Sequence, residues 1–253
     1  MKIAIVQLNI KWEDKVYNKQ QVISYVKEAK NTASDLVLFP EMTLTGFSMN
    51  VEVTKEANNE TIDFVKSLAR EYNISIGIGW VKDIGGSAEN HYTIIDENEG
   101  ILADYTKIHS FSFAGEDKHF TSGNSIVQFS MKGYSITPFI CYDLRFPELF
   151  RTVVGETHIY IIPANWPKAR REHWRSLLKA RAIENQSYVV GINCVGNVGD
   201  LEYSGDSCAI TPSGEIVCER EGEAGIIYCN IVDEEFDIRH EITVICDRKL
   251  LTQ

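Results

Sequence analysis

The 253-residue sequence predicts an α/β layered fold, either one mixed sheet or two packed sheets covered by helices. Apolar strand-like runs alternate with amphipathic helical segments over the first two thirds of the chain, and hairpin patterns collect in the last third. No Pro/Ser-rich linker, charge block or solenoid-length repeat interrupts this order, so residues 1–253 read as one domain.

Residues 2–10 carry a first strand. Residues 16–31 follow as an amphipathic helix with Val16, Ile23, Val26 and Ala29 as its apolar positions. "DLVLFPE" is a buried strand that stops at Pro40 and places Glu41 just past its end. Thr61 can cap a helix over "IDFVKSLAREY", which leads into the strand "ISIGIGWV". "HYTIIDENEGILADYTK" reads as two strands joined by a turn at Asn98-Glu99-Gly100, with Lys107 directly after the second. Beyond the loop "SFSFAGEDKHFTSGN", the strands "SIVQFS" and "YSITPFI" lead to Cys141, and a helix opens near Pro147. The strand "HIYIIPA" precedes a helix over 170–186, whose apolar stripe includes Trp174, Leu177, Leu178 and Ala182. "SYVVGIN", "DSCAITP", "EIVCERE" and "GIIYCNI" complete the strands, with Pro212-Ser213-Gly214 turning one hairpin.

Composition narrows the function classes. With 36 acidic against 25 basic side chains the net charge is −11, which disfavours nucleic acid and anionic lipid as partners. The one basic cluster, Lys168, Arg170 and Arg171, runs into Glu172 and reads as a solvated helix start. "MKIAIVQLNIKWED" has a brief apolar run and no small-residue cleavage site, so it reads as a strand and not as a leader, and no apolar stretch approaches a membrane span. The six cysteines form no CxxC pair and do not cluster with the six histidines, which argues against a structural metal site and for reduced thiols in a cytoplasmic protein. Cys194, Cys208, Cys218, Cys229 and Cys246 lie among apolar residues at strand-like positions, and most of them read as small core side chains.

Cys141 differs because it ends a strand and a polar turn follows it. Glu41 and Lys107 share that placement, and strand ends are where side chains from distant segments converge in layered α/β folds. Together they suit acyl transfer. A thiol supplies the nucleophile, a carboxylate takes its proton and later returns it to a leaving amine, and an ammonium holds the developing oxyanion with the N–H of Tyr142 as a second donor. A nearby ammonium is expected to lower the thiol pKa, so no histidine is required for activation. Taken singly, each residue also fits a bland role: a turn acid, a solvated lysine, a core cysteine.

"LFPEMTLTGF", "YTKIHSF" and "ICYDLRFPE", in this order, resemble the three catalytic motifs of the nitrilase superfamily of carbon–nitrogen hydrolases. The likeness continues through "KIAIVQLNI", "ANWP", "HWRSLLKARAIENQSYVVGIN" and "GDSCAITPSGEI" to Val232-Asp233. The resemblance implies a four-layer αββα sandwich, with Glu41 as general base and acid, Lys107 as the lysine of the triad and Cys141 as nucleophile, working without metal or cofactor. It also implies a further glutamate, Glu116 in "AGEDKHFTSGN", supporting Lys107, with Phe120 and Gly123 continuing that pattern. Ser110 departs from the family, which commonly has Leu there, and His109 and His119 are read as packing or hydrogen-bonding residues because the family mechanism uses no histidine base.

The triad is shared by nitrilases, aliphatic amidases, N-carbamoyl-amine hydrolases and omega-amidases, so specificity must come from the pocket. The segment from "CYDLRFPELFR" to "SYVVGIN", together with "TGFSMN", looks most like the bacterial omega-amidase branch, which deaminates 2-oxoglutaramate and related dicarboxylate monoamides. A distal carboxylate calls for a cation. Arg145 is the candidate, with Trp166 and either Phe47 or Phe113 as walls, although an ion pair of Arg145 with Asp143 or Glu148 is an equally available role. Family members commonly pair through outer-layer helices, which implies a homodimer. A non-catalytic module retaining the fold and a thiol redox sensor at Cys141 are the readings from other classes.

Overall fold

In the computed structural model, which describes residues 1–198 and 200–249, alternation along the first strand already defines the layers. β1 (Lys2–Gln7) sends Ile3 and Ile5 to one core and Ala4 and Val6 to another, the period of two that makes every strand residue choose a face. Helices α1 (Lys15–Asn31) and α3 (Glu60–Tyr72) cover the second of these faces. Between them come β2 (Leu36–Leu38) and the one-turn α2 (Val51–Thr54). The chain continues through β3 (Ser75–Asp83), β4 (Ala88–Asp96) and β5 (Gly100–Thr106), closing a six-stranded sheet in the order β13-β1-β2-β3-β4-β5, where β13 is Gly225–Asn230. Its β1, β2 and β3 run parallel, and its outer pairs are antiparallel.

The second sheet is built on the same plan. β6 (Phe129–Met131), β7 (Tyr134–Pro138), β8 (Ile159–Ala164), β9 (Tyr188–Asn193), β10 (Val195–Val198) and β11 (Leu201–Ile210) run in the order β10-β11-β9-β8-β7-β6, with β12 (Ile216–Glu221) also paired to β11. α4 (Pro147–Thr152) and α5 (Arg171–Asn185) lie on its outer side, Phe150, Trp174, Leu178 and Ala182 entering the core. Ile3, Ile5, Leu36 and Leu38 of the first sheet share one apolar cluster with Ile136, Ile159 and Ile161 of the second, so the sheets pack face to face in an αββα sandwich.

Three details differ from the sequence pattern. α1 buries Asn18, Val22, Val26 and Ala29, while Val16 is 71% exposed, because the Asn18 amide bonds the backbone of Lys11 and Leu44 and rotates the helix by a tertiary demand that hydropathy does not register. Thr61 lies inside α3, which begins after Asn59, and its N–H and hydroxyl both donate to the Glu56 carboxylate. The strand expected over "SIVQFS" starts only at Phe129.

Candidate active site

The ends of β2, β5 and β7 meet, and the three polar residues that follow them meet with them. Glu41 lies in the turn after β2, which packs onto β3 at Gly79: a β-carbon there would come within 2.4 Å of the Met42 nitrogen. Glycine is therefore required for that approach, and Thr43 N–H donating to the Gly79 carbonyl at 3.0 Å holds the turn in place. Lys107 follows β5 directly. The loop beyond it returns at Gly123, whose N–H donates to the Lys107 carbonyl at 2.8 Å and whose missing β-carbon would otherwise strike the Thr106 carbonyl. Cys141 opens a tight turn after β7 with φ of +46°, a left-handed conformation that costs a β-carbon-bearing residue energy and that recurs where a side chain must be aimed.

Asp143 ties the cysteine turn to the lysine segment. Its buried carboxylate accepts from Ile140 N–H (3.1 Å), Tyr105 Oη (2.8 Å) and His109 N–H (2.9 Å), and the His109 ring also meets it through Nδ1 at 2.9 Å. His109 then stacks on Phe146 with ring centroids 3.6 Å apart, the packing and hydrogen-bonding place expected of it.

At the centre, Lys107 Nζ donates to Glu41 Oε1 (2.9 Å) and to both oxygens of Glu116 (3.0 and 2.9 Å), all three side chains being almost completely buried. Two residues absent from the sequence argument complete the cluster. Asn90, on β4, donates through Nδ2 to Glu41 Oε1 (2.8 Å) and Glu116 Oε1 (3.1 Å), while Asn165, just past β8, gives its N–H to Glu41 Oε2 (2.9 Å). Asn165 belongs to the "ANWP" run at a strand end, a place that could have drawn notice. Asn90 sits in mid-strand and carries no comparable signal. Glu116 is further fixed by the N–H of Phe111 at 2.5 Å.

Electrostatics assign the protons. Burial works against the charge on Lys107, but the carboxylates of Glu116 and Glu41 hold its pKa well above the ordinary lysine value. Burial and then the charge of Glu41 push the Cys141 thiol up, and the opposing pull of Lys107 does not compensate. The ammonium does lower the thiol pKa, as expected, but burial and Glu41 outweigh it, so the net shift favours the neutral thiol at rest. Thiolate ultraviolet absorbance is therefore expected to show no Cys141 contribution at neutral pH, measured as wild type minus Cys141→Ala. A thiolate signal already present there would contradict this assignment.

Cys141 lies in a cavity of about 150 Å³. Phe47, Tyr142, Arg145 and Trp166 line it, joined by Phe111, Asn165, Arg170 and Tyr203. Phe47 also covers the Lys107 ammonium, whose nitrogen is 5.1 Å from the ring centre. Phe113 is misplaced in the sequence argument: it is 85% exposed and outside the cavity, and Phe111 supplies the aromatic wall from that loop. Arg145 forms no ion pair with Asp143 or Glu148. Asp143 is occupied by its own donors, and the guanidinium lies 4.7 Å from the Trp166 ring centre and 3.2 Å from His173 Nδ1.

The carbon-nitrogen hydrolase family model matches residues 2–235. The omega-amidase YafV of Escherichia coli is 34% identical over 86% of this chain and 84% of its own. The 2-oxoglutaramate amidase of Bacillus subtilis is 32% identical over 97% of this chain and 96% of its own. Among solved structures, XC1258 from Xanthomonas campestris, a CN-hydrolase superfamily protein with an arsenic adduct in its active site, is 27% identical, covers 100% of this chain and 98% of its own, and superposes with a TM-score of 0.93. A match along nearly the whole chain, at this identity and on the same sandwich, places the protein in the carbon-nitrogen hydrolase family.

Proposed function

We propose that the protein is an omega-amidase that hydrolyses the terminal amide of small dicarboxylate monoamides such as 2-oxoglutaramate to the acid and ammonia. The observation that carries this reading is the buried Glu41–Lys107–Glu116 cluster near Cys141, together with the small cavity that Cys141 lines, whose wall also holds Arg145 without a carboxylate partner among the described residues. The similarity to relatives named omega-amidase and 2-oxoglutaramate amidase supports it.

In this mechanism Glu41 accepts the thiol proton as Cys141 Sγ bonds to the amide carbon. Lys107 Nζ and the Tyr142 N–H stabilise the oxyanion of the tetrahedral intermediate. As the intermediate collapses, Glu41 returns the proton to the departing nitrogen, ammonia leaves and a thioester remains. Glu41 then takes a proton from water, the hydroxide adds to the thioester carbon, and the acid is released with the thiol restored. Lys107 stays an ammonium throughout because the Glu116 carboxylate, bonded to it through both oxygens, holds its proton even while Glu41 is protonated. Glu116 and Asn90 act through Lys107 and Glu41, keeping the two aligned. The reading includes a cytoplasmic homodimer. Six free thiols support the compartment. Ile183, Ile216 and Val217, exposed on α5 and β12, support a further contact surface.

The test is ammonia release from 2-oxoglutaramate, 2-oxosuccinamate, glutamine, a simple aliphatic amide, an N-carbamoyl amine and a nitrile. Turnover led by the 2-oxo omega-amides is the expected result. Preference for the carbamoyl amine, with carbon dioxide formed beside ammonia, or for the nitrile would replace the substrate assignment.

A further inference from the structure

The short basic run before α5 divides its labour. Lys168 pairs with Glu202 at 2.7 Å, and Arg171 pairs with Asp206 at 2.7 Å and Glu221 at 2.8 Å, as charges at a solvated helix start should. Arg170, between them, turns to the cavity instead. Among the described residues its guanidinium has no carboxylate partner and no side-chain hydrogen bond; it lies 5.3 Å from the centre of the Phe111 ring. Arg145 lines the same cavity, and its pKa is lowered by burial and, more weakly, by the charge of Arg170. Two guanidiniums thus share a largely apolar cavity in a chain of net charge −11 that has carboxylates to spare elsewhere. Like charges gathered under partial desolvation raise each other's energy unless an anion joins them, and the guanidinium fork matches a carboxylate with two parallel donors.

We propose that Arg170 is a specificity-determining residue which, with Arg145, clamps the carboxylate at the far end of the substrate from the scissile amide. The inference rests on the omega-amidase reading and deepens it: the site selects linear amides that are anions and discriminates against neutral amides of the same length. A second consequence follows from Phe111. Its ring meets Arg170, and its N–H holds Glu116, so the anion clamp and the catalytic cluster share one loop residue. A role confined to propping that loop would affect every substrate alike, and the experiment must separate the two.

The measurement is kcat/KM for glutaramate, which carries a distal carboxylate, and for pentanamide, its neutral counterpart, in wild type, Arg170→Gln and Arg170→Lys. The ratio of the two values is expected to fall about 10- to 100-fold in Arg170→Gln, the range for a lost charge-assisted hydrogen bond, and by less in Arg170→Lys, which keeps the charge but loses the fork. An unchanged ratio, with both values lowered equally or neither lowered, overturns the clamp and leaves Arg170 as a loop support or a bystander. Glutaramate and pentanamide binding to Cys141→Ala and to Cys141→Ala/Arg170→Gln, followed by calorimetry, reads the clamp without turnover. A wild type that favours pentanamide sinks the omega-amidase reading. A wild type that binds glutaramate through Arg170 but does not hydrolyse it sinks the assigned reaction while retaining the clamp.

Discussion

Cys141→Ala is expected to reduce amide turnover by about 10⁴-fold or more while leaving the fold intact. The size follows from the mechanism: without sulfur no thioester forms, and the remaining groups can only polarise the amide and orient water. The stability change should stay within about 1 kcal/mol, since alanine retains the β-carbon and the left-handed φ of +46° is equally strained for both residues. Cys141→Gly separates strain from chemistry. It should be equally inactive yet more stable than Cys141→Ala by about 1 kcal/mol, because glycine adopts this conformation without the β-carbon penalty. Denaturant titration with circular dichroism measures the stabilities, and ammonia release measures the activity. Residual turnover in Cys141→Ala within an order of magnitude of wild type would remove Cys141 from the nucleophile's role.

The layered fold was legible because strands buried on both faces, such as "DLVLFPE" and "HIYIIPA", cannot be mistaken for solvated segments, and because α5 keeps its stripe of Trp174, Leu178 and Ala182. Glu41, Lys107 and Cys141 were legible as candidates because each lies within three residues of a strand end, and a strand end is a fixed address in an α/β layer. Asn90 was not, since its role depends on which face of β4 it occupies and on two glutamates, one 49 and one 26 residues away, arriving at the same amide. Phe113 and Phe111 are two residues apart in a loop without periodicity, so nothing local says which ring turns inward. The direction of the thiol pKa is not legible in the sequence for a related reason. Proximity of the ammonium can be inferred from motif order, but burial and the positions of two carboxylates are tertiary quantities, and they decide the sign.

Lys107→Met is expected to damage both activity and stability, and the pattern of damage tests the buried cluster as a unit. One ammonium lies within 3.0 Å of oxygens from two carboxylates, and all three side chains are at most 2% exposed. Removing the cation strands Glu41 and Glu116 near one another in a desolvated site, where the neutral donors left, the Asn90 amide and the N–H groups of Asn165 and Phe111, cannot balance two negative charges. Breaking a buried ion pair from one side costs about 3–5 kcal/mol, and losing an oxyanion donor costs about 10²–10³-fold in kcat. The alkaline side discriminates further. The folded Lys107 pKa is raised above the ordinary 10.5, so its contribution is fully present below that pH and is lost as pH rises through the folded value. Wild-type stability should therefore acquire a descending component above pH 10.5, of up to about 1.4 kcal/mol per pH unit, that Lys107→Met lacks. Adding Glu116→Gln to Lys107→Met should recover part of the lost stability and none of the activity, because it removes a stranded charge without replacing the oxyanion donor. Urea denaturation of the wild type and both variants across pH measures all three effects. If Lys107→Met proved as stable as wild type at neutral pH, the two glutamates would not be held as buried carboxylates, and the proton inventory on which Glu41 acts as base would have to be redrawn.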